Sequence, residues 1–326
     1  MFSKYFLKRL VALIPIFFGI TILSFSIIHL TPGKPADLAT ELNVKVSLEA
    51  RQRLNELYGL DDPIPLQYAR WVKRLAVGDF GTSFHDGRAV SSKILERVPV
   101  TLGINAISLL IVLILCIPLG VVSAARRGSL FDRNTTTATF IAFSIPSFWL
   151  ALILLSALGV HLRWVPVSGL HSLFSDRLVL WKQWLDVAHH LCLPILVLVV
   201  GQLAIFIRYV RGSMLDALGQ DYIQTARAKG LPEDQILYRH ALKNALLPLV
   251  TILGLSVPAL LGGSVILESI FGIPGMGRLF FESVLSRDYP VIMGMVVISA
   301  VLTLLGNLLA DVTYAIVDPR IRYEKS

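Results

Sequence analysis

The sequence predicts an all-α, polytopic membrane protein with six transmembrane helices. Three observations carry that reading. Hydrophobic residues make up 55% of the 326 positions and charged ones only 16%, where a soluble domain carries about a quarter charged residues. The apolar residues gather in blocks near the roughly 20 residues needed to cross about 30 Å of hydrocarbon. Lys and Arg gather in alternate loops between those blocks.

The first block, Leu10–Leu30, follows Lys4, Lys8 and Arg9. It is longer than the apolar core of a cleaved signal, about 7–15 residues, and runs into Thr31-Pro32-Gly33-Lys34 without a small-residue cleavage site. It is therefore expected to be retained as a span and signal anchor. The other blocks are Val100–Ala124, Thr136–Val160, Leu191–Val210, Leu246–Phe271 and Val291–Ile316. Several contain proline (Pro15, Pro118, Pro146, Pro194, Pro258), which spans tolerate because neighbouring helices re-satisfy the freed backbone groups. Unpaired backbone is forbidden in lipid, so blocks of this length are assigned as helices.

Loop charges set the expected orientation. The N-terminus, the loop with Arg126, Arg127 and Arg133, the loop from Arg208 to Lys243 and the tail with Arg320, Arg322 and Lys325 are rich in basic residues. The short loops on the other side carry only Arg163, Arg177, Lys182, Arg278 and Arg287. The long stretch 31–99 is also basic, but its acids nearly balance it and loops of that length escape the rule. The positive-inside bias then puts both termini in the cytoplasm. The same bias accounts for the net charge of +8 without a nucleic-acid partner. Cys116 and Cys192 both fall in apolar blocks, so no disulfide framework is implied.

Residues 1–99 are read as the first span plus an extracytoplasmic insert, and residues 100–326 as a core of five spans with a cytoplasmic loop at about 211–245. In the insert, Leu48, Leu54 and Leu57 mark one amphipathic helix that Gly59 ends. A second short helix runs from Gln67-Tyr68 to Leu75, with Trp71 on its apolar face.

The most distinctive stretch is Asp221–Pro248, DYIQTARAKGLPEDQILYRHALKNALLP. From Met214 to Lys229, Leu215, Leu218, Tyr222 and Ala226 recur at helical spacing, and Arg227 and Lys229 suit the last turn. Gly230 suits the left-handed position that stops a helix. Pro232 then opens a second helix, with Glu233 and Asp234 in its first turn. Spacing alone leaves two readings open: a docking helix, or one lying on lipid headgroups. No G-x-x-x-x-G-K-[ST] loop occurs anywhere in the chain.

The cassette resembles the EAA loop of ABC-importer permeases, in the form found in the dipeptide, oligopeptide and nickel permease family. The peptide-permease pattern D-Y-I-x-T-A-R-A-K-G-L matches Asp221–Leu231, and H-A-L-x-N-A-L-L-P matches His240–Pro248. Gln224 stands where the general pattern has an acidic residue, followed by Thr225, Ala226 and, later, Gly230. Further matching pieces lie in order along the chain: Tyr58-Gly59-Leu60-Asp61-Asp62-Pro63, Gly78-Asp79-Phe80-Gly81-Thr82-Ser83, Ser144-Ile145-Pro146-Ser147-Phe148-Trp149, Pro274-Gly275-Met276-Gly277-Arg278 and Asp318-Pro319-Arg320-Ile321. One departure is Pro32-Gly33-Lys34-Pro35, where the family often has Pro-Gly-Asp-Pro.

The resemblance implies a type I ABC importer (MetI-like) permease fold with an extracytoplasmic helical insert, in the inner membrane of a prokaryote. It implies a subunit without catalytic residues of its own that binds no cofactor, with ATP and Mg used by its partners. Those partners would be a second permease, two cytoplasmic P-loop ATPases, an extracytoplasmic solute-binding protein and membrane lipid. Coupling to the ATPase would fall on Asp221, Tyr222, Gln224, Thr225, Ala226, Arg227, Ala228, Lys229, Gly230, Leu231 and His240. The solute would be a dipeptide or oligopeptide, with nickel or another small solute such as glutathione as the alternative.

The translocation path is less distinct. Gly254, Pro258 and Gly262 recur at i, i+4 and i+8 on the fifth block, a spacing that suits close helix packing or a lumen. Asn105, Gln202, Glu268, Asn307 and Asp311 are the polar candidates, Glu268 and Asp311 lying toward block ends where interfacial anchoring or subunit pairing is expected. His161, His171, His189 and His190 lack ligand spacing and a Cys or carboxylate cluster, so no metal site is assigned. A secondary transporter would need titratable residues at the midplane. A membrane enzyme would need a motif such as H-E-x-x-H or G-x-S-x-G, and neither occurs.

Overall fold

Two long helices form the spine of the molecule. In the computed structural model, which describes residues 2–30 and 62–317, α3 is Val90–Ala125 and α6 is Leu180–Leu218. At 1.5 Å per residue they are about 54 and 58 Å long, more than the hydrocarbon thickness. They approach closely at Gly120, where an added Cβ would stand 2.6 Å from the Val210 side chain. Only glycine fits that crossing.

Around the spine the order is α1 (Phe2–Leu30), α2 (Ile64–Ala76), α3, α4 (Leu130–Ser144), α5 (Ser147–Leu154) and α6. Then come α7 (Asp221–Ala228), α8 (Glu233–Gln235), α9 (Leu242–Ala245), α10 (Leu247–Gly262), α11 (Val265–Ile270), α12 (Met276–Leu285) and α13 (Tyr289–Val317). The expected outer helix with Trp71 is α2, whose Trp71 packs with Phe25 of α1 and Met293 and Val297 of α13. Thr21 and Tyr68 hydroxyls meet at 2.9 Å. The helix expected around Leu48–Leu57 lies outside the described residues.

Two expected spans differ from the sequence reading. The block Thr136–Val160 is not one straight helix: α4 and the α5 segment, extended by a π turn Leu155–His161, meet at 94°. Pro146 has no N–H to donate and drives Ile145 into an extended conformation (φ −84°, ψ 120°). The block Leu246–Phe271 is likewise divided. α10 ends at Gly263, whose φ of +68° breaks the helix, and Ser264 caps α11 by accepting from the Leu267 amide. Among the described residues, α3, α6 and the Tyr289–Leu308 part of α13 are each long and apolar enough to cross a membrane. The count becomes four if the bent pair is one span. Six crossings remain the expectation from sequence.

At one end of the spine, α3, α4 and α6 are tied by a buried polar knot. Ser129 caps α4 by accepting from the Asp132 amide. The buried Asp132 carboxylate receives Arg211 of α6 through Nε (2.6 Å) and Nη2 (2.9 Å), together with the Gly128 amide and the Ser123 hydroxyl. A bidentate guanidinium and two further donors leave that carboxylate fully satisfied. At the other end, Glu268 is equally buried. Its carboxylate accepts from Thr101 Oγ1 (3.0 Å) and from the Arg278 amide (3.0 Å) at the start of α12. Thr101 in turn accepts from the Met276 amide at 2.8 Å. An added Cβ on Gly275 would lie 2.3 Å from Glu268 Oε2, so glycine is required for the carboxylate to reach the helix N-terminus. Glu268 thus finds its partners within its own chain.

Candidate functional site: the inter-helix cassette

The apolar stripe of the cassette is interrupted where the sequence predicts one helix from Met214 to Lys229. α6 ends at Leu218, Gly219 closes it, and Gln220 turns extended (φ −80°, ψ 151°) to start α7. Glycine weakens the helix there, and the restart shifts the phase. Ile223 and Ala226 therefore face inward, while Tyr222 is exposed. They join one buried cluster that also holds Met214 and Ala217 of α6, Val121 and Ala124 of α3, and Ile236 and Ala241 of the following π turn, Ile236–Ala241, against which α7 mainly rests. Ile223 and Ile236 are fully buried. Neither was among the expected site residues, and the signal that marks them is the three-residue spacing from Ile223 to Ala226 once α7 begins at Asp221.

The turn after α7 is a complete Schellman motif. Gly230 is left-handed (φ +72°), its amide bonds the Arg227 carbonyl at 2.9 Å, and the Leu231 amide bonds the Ala226 carbonyl at 3.3 Å. A Cβ on Gly230 would meet nothing within 4 Å, so backbone conformation alone selects glycine. Arg227 bridges the turn to Glu233, Nε to Oε1 at 2.9 Å and Nη2 to Oε2 at 3.4 Å. Both side chains are about half exposed, which limits this pair to roughly 0.2–1 kcal/mol. Pro232 is the N-cap of α8 rather than its first helical residue.

The expected coupling residues divide cleanly. Asp221, Tyr222, Gln224, Thr225, Arg227, Ala228, Lys229 and Gly230 are exposed, Leu231 and His240 half-buried, and Ala226 buried. α7 is thus a short helix with one face in the buried cluster shared with α3, α6 and the π turn, and exposed on the other. The structure does not gather the expected path residues into one site. Gly254 and Gly262 lie on α10, which packs against α13 and α3, Asn307 is exposed on α13, and the Pro258 side chain is outside the described set. Asn105 donates to the Leu260 carbonyl at 2.9 Å, so it ties α3 to α10. Of the four histidines, His161, His189 and His190 each meet a backbone carbonyl at 2.7–2.8 Å.

A family model described as binding-protein-dependent transport system inner membrane component matches residues 116–323, and its N-terminal counterpart matches residues 1–105. The chain belongs to that family. Among its permease relatives, an oligopeptide transport system permease protein, AppB of Bacillus subtilis (strain 168), is 48% identical over 322 residues, 98% of this chain and 100% of the relative. A dipeptide transport system permease protein, DppB of Escherichia coli (strain K12), is 38% identical over 339 residues, 99% of each chain. A chain of the solved inward-facing MetNI methionine ABC transporter superposes with a TM-score of 0.55 at 20% identity, covering 70% of this permease and 97% of that chain. At that identity the likeness concerns the fold.

Proposed function

We propose that this permease is the membrane subunit of an ATP-driven importer of dipeptides or oligopeptides, and that α7 is the element its ATPase subunit grips. The observation that carries the reading is α7 itself: a short helix with one face buried, whose other face has no cover among the described residues. ATP would be hydrolysed by separate P-loop subunits, and their closure would push α7 and, through Ile223 and Ala226, the ends of α3 and α6. The peptide assignment rests on relatives named for oligopeptide and dipeptide transport that match along essentially the whole chain.

A second permease subunit is supported by the α4–α5 bend. Phe140, Phe143, Phe148 and Trp149 around it are exposed. Non-helical backbone at membrane depth is stable only against protein or a water-filled cavity, and side chains this apolar favour protein. A solute-binding protein would deliver cargo on the face opposite α7, and α7 with both termini would be cytoplasmic.

The reading is tested by purifying the chain with its interactors and assaying peptide uptake into vesicles. Wild type should copurify with a P-loop ATPase and import peptide only with ATP. Gly230→Pro should abolish uptake while leaving the protein in the membrane, since proline removes the amide bonded to Arg227 and cannot adopt the positive φ. Uptake driven by a proton gradient without ATP would overturn the proposal.

A further inference from the structure

At the end of the spine away from α7, a cavity of about 280 Å³ opens between the loop around His85, the first turns of α3, α12 and the start of α13. That volume is close to the lower end for small-molecule sites, roughly 300–1,000 Å³. Its walls are charged, and nearly every charge is spoken for. Lys93 holds Asp86 at 2.9 Å and stands 3.8 Å from the buried Asp288. Asp288 also accepts from the Phe84 amide at 3.0 Å and from the Ser83 hydroxyl. Arg88 pairs with Glu96, and Glu282 with Arg278 at 2.7 Å.

Arg97 is the exception. It is half-buried, lines the cavity one helical turn beyond Lys93 on α3, and among the described residues has neither an ion-pair nor a hydrogen-bond partner. A guanidinium offers five donors in a fixed fork suited to a carboxylate, and half-burying it unpaired is costly. The packing of Lys93 onto Asp86 and Asp288 leaves Arg97 as the free cation of the wall, while Glu282, held by Arg278 through Oε1 alone, keeps Oε2 as an acceptor toward the same space.

We propose that this cavity is an entry site for a small zwitterion of the dipeptide class, Arg97 receiving its carboxylate and the Glu282 carboxylate facing its ammonium group. A simple cation would meet Arg97, and a polyanion would meet the surrounding carboxylates. One carboxylate plus one ammonium satisfies both walls. The assignment of the solute side rests on the importer reading above; the binding chemistry rests on the cavity alone. The site would hold peptide at the outer mouth before the spans open.

The test is saturation-transfer NMR on the purified permease complex in neutral phosphatidylcholine nanodiscs, with Ala-Ala as the probe beside Ala-Ala amide and N-acetyl-Ala-Ala. Ala-Ala should give a signal that both blocked peptides lack. Arg97→Gln should weaken Ala-Ala binding about tenfold or more, the scale of one lost charge-assisted contact, and Arg97→Lys should restore part of it. Arg97 has no partner among the described residues, so its replacement removes no bond among them; an unchanged melting temperature checks this. Absence of an Ala-Ala signal in wild type, equal signals from the amide, no effect of Arg97→Gln, or displacement by an equal concentration of inorganic phosphate would each overturn the proposal. Uptake by the complete complex is measured in parallel. If it imports no peptide while Arg97-dependent binding persists, the importer reading falls and the site stands; the opposite pattern removes the site alone.

Discussion

Single residues decide how firmly the coupling element is held. Gly230 sits at φ +72° with open space around it, so Gly230→Ala should cost about 1–2 kcal/mol of local strain, read as faster hydrogen exchange of α7 amides with the rest of the chain unchanged. Unchanged exchange would contradict a strained turn. Asp132→Ala strands Arg211 against α4 and should lower stability by about 1.5–3 kcal/mol, seen as a lower melting temperature in detergent. Asp86 gives a pH signature: burial pushes its carboxyl up, but hydrogen bonds from Lys93 and the Arg88 amide, with the positive charge of Lys93, outweigh burial and hold it at about 2. Because the folded value is depressed, its stabilisation is complete above the ordinary carboxylate range near pH 4 and disappears as pH falls through about 2. Protease resistance of the 81–90 loop should drop across that window, and Asp86→Asn should flatten the profile. Gly230 was legible in the sequence because only one residue type suits its backbone. The knots at Asp132 and Glu268 were not, since their partners lie 79 and 167 positions away and pairing at such range leaves no local pattern.

At the scale of elements, hydropathy found where the apolar segments lie but not where they break. Pro146 and Gly263 stand inside long apolar runs, where tolerated helix breakers and true bends look alike in sequence. The structure separates them: Pro118 and Pro194 lie within continuous helices, while Pro146 heads a 94° bend. The phase of α7 was lost for a related reason, because Gly219 and Gln220 reset the helical count just before Asp221. Its bare face gives an element-level prediction. Tyr222→Ala, on that face, should leave membrane levels unchanged and reduce ATPase copurification. Ile223→Asp, on the buried face, should instead lower the stability of the chain, since it puts an unpaired charge into the cluster with Met214 and Ile236. Equal behaviour of the two variants would mean that α7 has no distinct docking side.

For the whole molecule, two long helices connect a charged cavity at one end with a rigid surface rod at the other. On the proposed reading, a push on α7 would be carried along these helices, and the solute contact would lie about 50 Å from the motor contact. Cysteine cross-linking tests the central claim, that α7 is the ATPase-facing element, most directly. With Cys192 replaced and Cys116 left buried, cysteines placed one at a time at Thr225 and at Leu173 in the opposite exposed loop are treated with a short bifunctional maleimide in intact cells. The account predicts a cross-link from Thr225→Cys to a P-loop ATPase and none from Leu173→Cys. Labelling of Thr225→Cys by a membrane-impermeant maleimide added outside the cells, with no ATPase adduct, would contradict it.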